Sequence, residues 1–331
     1  MQTAHASSHL RRTFILMAVA GFAWVFVNDR VDPLWNLRLA YIAMYFVVLS
    51  GMVLLVGYTG QVSLGQGAFM AVGGYTIAVA LLRGVPLPLA FLLVVLVSTI
   101  FGAIVGVVGA RLSGPYLAGL TLGLAVGLPA LANRFPDLLG GDSGLLLDGP
   151  YPPESFGFEF PVERWQAWIA GAVAIIVGTA MAALLASPAG RSMRAVRDHE
   201  VGAALSGVSP ARAKVSAFVV SSVCAGLGGA VLTCILGLAA PGAFGIGLSL
   251  SLLVGVIVGG RLSLSGALHG AILMALLPEL LSTVVESWAF PEQVSVNLAA
   301  LVYGCLLLLT VGFAPQGIAG LIHSKRSRHL P

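Results

Sequence analysis

Long apolar runs alternate with short polar breaks along almost the whole chain. The runs predict membrane spans at Thr13–Val27, Leu87–Ala110, Tyr116–Ala132, Trp165–Ala186, Val215–Leu236, Ile246–Val258, Leu264–Val285 and Val294–Phe313. Leu39–Leu82 holds 44 residues without one charge, enough for two spans of roughly 20 residues each. The expected architecture is therefore all-α, a polytopic membrane helix bundle of about ten spans forming a single domain. Ile246–Val258 is the short one. The middle of 39–82 reads Gly57-Tyr58-Thr59-Gly60-Gln61-Val62-Ser63-Leu64-Gly65-Gln66-Gly67. This polar, glycine-broken piece must lie at the membrane edge or partly within it. Irregular backbone at such depth survives only where protein or a wet cavity covers it, so Gln61, Ser63 and Gln66 are candidates to line a pathway. A tight turn with Ser and Gln capping helix ends accounts for the same residues.

Two stretches break the apolar pattern more deeply. Ser187–Lys214 is polar and basic. Wound as one helix, it puts Arg191, Arg194 and Asp198 on one face and Met193, Val196, Glu200, Ala203, Ala204 and Gly207 on the other. The second face is small enough to let a partner approach closely, with Glu200 to be met by the partner's donors. Pro188 suits the entry of this helix and Gly207 its end. A solvated connecting loop is the competing interpretation. The other stretch, 133–164, is rich in Pro, Gly and Phe and carries six acids against two arginines. It is expected to be a folded, non-helical loop. Glycine-broken short spans at 57–67 and 237–247 flank it, a faint symmetry that would make the two halves an inverted repeat.

Composition agrees with the pattern. Only 9% of residues are charged and mean hydropathy is +0.98, against roughly 25% charged in soluble domains. With ten spans and the N-terminus inside, twelve Lys and Arg face the cytoplasm and five face out, as the positive-inside rule requires. Both termini and the 187–214 segment are then cytoplasmic, and the acidic loop is outside. Arg11 and Arg12 before an apolar run resemble a signal peptide, but Asn28-Asp29-Arg30 follows rather than a small-residue cleavage site, so an uncleaved first span is expected. No basic surface interleaved with aromatics exists for nucleic acid. Cys224, Cys234 and Cys305 lie in apolar spans without metal-ligand spacing, which predicts buried thiols and no metal site.

Several motifs together resemble the permease subunits of branched-chain amino-acid-type ABC importers, the LivM-like family. The first is Gly57-Tyr58-Thr59-Gly60-Gln61-Val62-Ser63-Leu64-Gly65 with Ala68-Phe69 and Gly73-Gly74-Tyr75-Thr76. Gly190-Arg191-Ser192-Met193-Arg194-Ala195-Val196-Arg197-Asp198, through Glu200, Ala203, Ala204 and Gly207, is similar to that family's cytoplasmic coupling loop. Ala217-Phe218 and Ala225-Gly226-Leu227-Gly228-Gly229-Ala230 match the span after it. Gly140-Gly141-Asp142-Ser143-Gly144-Leu145 resembles its outer-loop motif, and Leu277-Pro278-Glu279-Leu280-Leu281 its late-span motif. The likeness runs from about 38 to 314. Leu139 where the family usually has Thr, Pro129 in a span lacking an expected polar residue, and Gly260-Arg261-Leu262-Ser263 in place of a more glycine-rich turn depart from it. These departures bear on the substrate rather than on the transporter class.

The resemblance implies a subunit in a bacterial inner membrane, working with a second related permease, two cytoplasmic ATPases and an extracytoplasmic binding protein. Arg191, Arg194, Arg197, Asp198, Glu200, Ala203, Ala204 and Gly207 would couple to an ATPase. This chain holds no GxxxxGK[ST], so it binds no nucleotide itself and ATP is hydrolysed by the partners. Asp142, Asp148, Glu154 and Glu159 on the acidic loop would meet the binding protein. Glu279, a carboxylate in an apolar span, is expected on the pathway, since such a group usually faces a bundle interior. Branched-chain amino acids, urea or short amides are the solutes implied. A secondary transporter or channel would need coupling charges in several spans, and Glu279 stands nearly alone. Gly141-Asp142-Ser143-Gly144 with His269 has the outline of an intramembrane serine protease, but Ser143 is expected in the outer loop and His269 near the cytoplasmic end of its span.

Overall fold

The computed structural model describes residues 17–112, 114–157 and 159–288, with helical pieces at 301–302, 304–306, 308–309 and 318–320. The expected span Val294–Phe313 lies mostly outside the described residues, as do the start of the first span and the basic termini. The order is α1 (17–30), α2 (Pro33–Met52) running on as a π-helical turn (Val53–Tyr58), α3 (Gln66–Leu82), α4 (Leu87–Gly109) and α5 (Pro115–Arg134). A loop follows with a single turn α6 (Pro136–Leu139) and a short strand β1 (Leu145–Leu146). Then come α7 (Val162–Ala186), α8 (Pro188–Asp198), α9 (Glu200–Leu205), α10 (Pro210–Leu236), β2 (Leu238–Ala239), α11 (Ile246–Gly259) and α12 (Leu264–Trp288). Seven helical stretches among the described residues are long and apolar enough to cross a bilayer, and the 17-residue α3 is a shorter apolar helix. This is the polytopic helix bundle that the apolar runs predict.

Proline sets many of the starts. Pro33, Pro115, Pro136, Pro188 and Pro210 stand in the first turns of their helices, where the fixed φ is already helical and no hydrogen bond is lost. Inside the bundle, glycine sets the packing. α10 is the central helix, buried against α2, α3 and α4. A Cβ on Gly73 would sit 1.9 Å from the Gly226 carbonyl, one on Gly229 1.9 Å from the Met70 carbonyl, and one on Gly102 1.7 Å from Ser222 Oγ. Such backbone-to-backbone approach is how helices gain dispersion and polar contact in lipid, which offers no hydrophobic drive between them. The outward face of α4 carries Leu89, Leu92, Leu96, Ile100 and Ile104, all exposed, a stripe fit for acyl chains.

Two expectations need correction here. The 133–164 loop is not free of helix: it holds α6 and 3-10 turns at Gly141–Ser143 and Glu154–Phe156, and β1 pairs antiparallel with β2. Cys224 and Cys234 are buried, but Cys305 is exposed.

Candidate functional site

The 57–67 segment interrupts the bundle rather than turning at its edge. α2 ends in a π-helical turn, a feature that often marks functional sites. Residues 59–65 are then non-helical, and α3 begins only at Gln66. Gln66 Nε2 donates to Ser221 Oγ at 3.0 Å. Ser221 lies eleven residues into α10, about 16 Å from its start at 1.5 Å per residue, so α3 starts beside the middle of that long apolar helix. Protein backbone packs closely on the segment at three of its glycines. A Cβ on Gly57 would lie 1.7 Å from the Arg261 carbonyl, one on Gly65 2.8 Å from the Thr121 carbonyl, and one on Gly67 2.6 Å from the Phe244 carbonyl. Leu64 N donates to Thr121 Oγ1 and Gly67 N to Ser249 Oγ. Ser249 belongs to α11, so the starts of α3 and α11 meet in the interior, one helix running outward and the other inward. Gln61, Ser63 and Gln66 are all buried. Gln61 Nε2 and Gln66 Oε1 have no protein partner there.

The 187–214 segment differs from the single helix its spacing predicts. α8 stops at Asp198; His199 is extended, and its Nδ1 accepts from Gly202 N at 2.8 Å to start α9 as an N-cap. Helical phase is reset at that point. Pro188 does open α8, with Ser187 as its cap, and Gly207 at φ +84° follows α9. The small face is not free: Met193, Val196 and Ala203 are buried against the chain itself. Ala204 and Gly207 are exposed. The residues that face outward are Val201, 65% exposed, and Leu205, 86% exposed. Spacing across 187–214 taken as one helix misses this pair; Val201 and Leu205 at i, i+4 within α9 alone would have found it.

The arginines bond back to the ends of the long helices. Arg191 donates to the Ala186 carbonyl and Arg194 to the Leu185 carbonyl, the last carbonyls of α7, which need donors. Arg194 also stacks 4.6 Å from the centre of the Tyr58 ring. Arg197 donates to the Gly57 carbonyl where α2 runs out of its own donors. Hydrogen bonds from a charged group are worth about 1.5–3 kcal/mol each. Asp198 takes Arg197's remaining donors, and Lys214 grips both oxygens of Glu200 at 2.7 and 2.8 Å, tying α9 to α10. Between these helices and residues 59–62 lies a cavity of about 420 Å³, walled by Gln61, Val62, Pro115, Val196, Arg197 and Lys214 among others.

At the opposite end, Asp142, Asp148, Glu154 and Glu159 are exposed. Only Asp142 among them is held, by the Asn133 amide. The loop is anchored beneath them by the β1–β2 pair and by a cluster of Phe156, Phe160, Trp165 and Trp168. Tryptophans at this level suit the membrane–water interface. Glu279 is not alone: Arg38 Nε donates to one carboxylate oxygen at 2.8 Å and Arg38 Nη2 to the other, while Trp35 covers the guanidinium. Gln66 by contrast bonds Ser221 of α10, while Gln61 Oε1 and Ser63 Oγ accept within their own segment, from Thr59 Oγ1 and Gly65 N. Ser143 and His269 do not meet. Ser143 lies in the 133–164 loop, where the next residue packs on Ala239, while His269 bonds the Ser265 carbonyl beside the Gly259–Gly266 contact at the other end.

The comparisons with known proteins agree with this geometry. The branched-chain amino acid transport system / permease component family matches residues 36–311. The high-affinity branched-chain amino acid transport system permease protein LivM of Escherichia coli (strain K12) is 30% identical over 135 residues, 41% of this chain and 29% of the relative. The protein of the same description from Salmonella typhimurium matches equally. The chain thus spans less than a third of the length of the curated relatives it matches. No solved structure matches it. A match that takes in the interrupted α2–α3 segment, the α8–α9 pair and the glycine-packed α10 leaves one conclusion: the chain belongs to the family of permease components of branched-chain amino acid transport systems.

Proposed function

We propose that this chain is one of two related permease subunits of an ABC importer, carrying branched-chain or related amino acids into a bacterial cytoplasm across the inner membrane. Two cytoplasmic ATPases supply the energy, and an extracytoplasmic binding protein delivers the solute. The observation that carries this reading is α9. Val201 and Leu205 are apolar, outward and held at the end of the bundle where the basic turns gather, and a large exposed apolar pair on a rigid mount marks a docking surface. The positive-inside rule makes that end, and with it both termini, cytoplasmic. The ATPase therefore docks on Val201, Ala204, Leu205 and Gly207, while Arg191, Arg194, Arg197 and Glu200 hold that surface in register with the bundle. The four exposed carboxylates of the outer loop receive the binding protein. Gln61, Ser63 and Gln66 belong to the pathway wall.

Uptake of labelled leucine into proteoliposomes holding the four membrane subunits tests this. Uptake should require enclosed ATP and external loaded binding protein. Uptake driven by an ion gradient, with no ATPases present, would instead make the chain a secondary transporter.

A further inference from the structure

Arg197 stands between the two features described above, and its contacts give it a mechanical part in transport. It leaves α8 on the cytoplasmic side, crosses to the bundle, and ends on the Gly57 carbonyl, the last turn before the chain loses its helix. Its Cγ is 3.3 Å from where a Cβ on Gly60 would be, so the stem lies along the irregular segment as well. Arg194, one turn earlier, sits on the Tyr58 ring. Three residues of the 57–67 segment, Gly57, Tyr58 and Gly60, thus meet side chains from one face of α8.

The segment is not packed solid against α8 and α9. Residues 59–62 border the cavity of about 420 Å³ together with Val196, Arg197 and Glu200, and Val62 is 43% exposed beside it. A segment seated on a cation at one end, with empty space beside that cation, has somewhere to move. Gly60 at φ +69° gives it a hinge that other residues adopt at a cost. Further along, Gly65 and Gly67 are packed tightly against Thr121 and Phe244. A displacement at Gly57–Gly60 therefore bends 59–65 about its fixed end at α3, next to the buried Gln61 and Gln66.

We propose that Arg197 is the positioning strut through which a shift of α8 and α9 is passed to residues 57–62, opening or closing the pathway at its cytoplasmic end. The proposal rests on the permease reading given above. A change at the ATPase reaches α9 first. The Glu200–Lys214 pair makes α9 move with the start of α10, and Asp198 keeps the Arg197 fork aimed at Gly57. Rigid links of this kind carry coupling when the element at their end has two arrangements.

The test uses the full complex with Cys305→Ser and a reporter, Val62→Cys; Cys224 and Cys234 are buried and silent. A water-soluble maleimide is applied without nucleotide and with ATP under conditions that block hydrolysis. With Arg197 intact, the two labelling rates differ. In Arg197→Met, which keeps the stem packed on Gly60 but removes the charge, the two rates become equal and solute moved per ATP collapses, while ATP hydrolysis continues. Arg197→Lys restores part of the difference. A merely structural cap would raise labelling in both states and leave their ratio alone; that result overturns the strut. So does a nucleotide-dependent rate that survives in Arg197→Met, or one absent when Arg197 is intact. If the ATPases do not bind the unmodified chain at all, the permease reading itself fails, and the strut with it.

Discussion

The 187–214 segment turns its cations inward, whereas the 133–164 loop turns its anions outward. On the first, Arg191, Arg194 and Arg197 are committed to carbonyls at the ends of α7 and α2, and the apolar Val201 and Leu205 are left exposed on α9. On the second, β1–β2 and the Phe156–Trp168 cluster anchor the loop, and Asp142, Asp148, Glu154 and Glu159 are left exposed. The difference suits what each end would do in the proposed importer. A rigid, apolar, close-fitting surface transmits displacement. A charged rim steers an encounter, acting on association rate and salt dependence more than on strength.

That contrast can be broken most severely at α9. Ala204→Trp should leave the permease inserted but cut ATPase co-purification by about tenfold or more, the effect of roughly 1.4 kcal/mol or more of overpacking at a docked surface. Binding-protein docking at the other end should be unchanged. If Ala204→Trp retains its ATPases, the exposed face of α9 is not a docking face.

A smaller effect is expected outside. Replacing Asp148, Glu154 and Glu159 with Ser should slow binding-protein association by about tenfold at low salt and flatten its salt dependence, leaving ATPase assembly intact. Association rates that are equal in both proteins at low salt would remove the loop from docking.

The smallest effect belongs to Glu279, which sits in neither surface. Glu279→Gln breaks the fork with Arg38, so the melting temperature of the purified subunit should fall by a few degrees, with uptake retained per folded molecule; exposed pairs are worth at most about 1 kcal/mol. Uptake lost at an unchanged melting temperature would return Glu279 to the pathway, where its isolation in the sequence first puts it.

These regions also divide by how far the sequence discloses them. The bundle is legible because apolar runs of membrane length have few other meanings, and Pro188 and Gly207 mark their boundaries through backbone constraints that act locally. The depth of Gln61, Ser63 and Gln66 is half legible. A charge-free stretch of that length forces polar groups near the membrane, but only the contact of Gln66 with Ser221, far away in the chain, sets where they lie along α10. The break at His199 hides because histidine seldom caps a helix, and one misplaced boundary rotates every later residue to the wrong face. Arg38 and Glu279 are 241 residues apart. Nothing in a one-dimensional pattern pairs them, so a partnered carboxylate looks like a lone one.

The central claim is that the outward face of α9 is where the energy source attaches, and Leu205 reads it most directly. In a Cys305→Ser chain carrying Leu205→Cys, a membrane-impermeant maleimide should label the free permease quickly, since that side chain is 86% exposed. Bound ATPases should slow labelling by at least about tenfold, as burial in a packed interface excludes the reagent. Equal labelling with and without the ATPases bound would contradict the account.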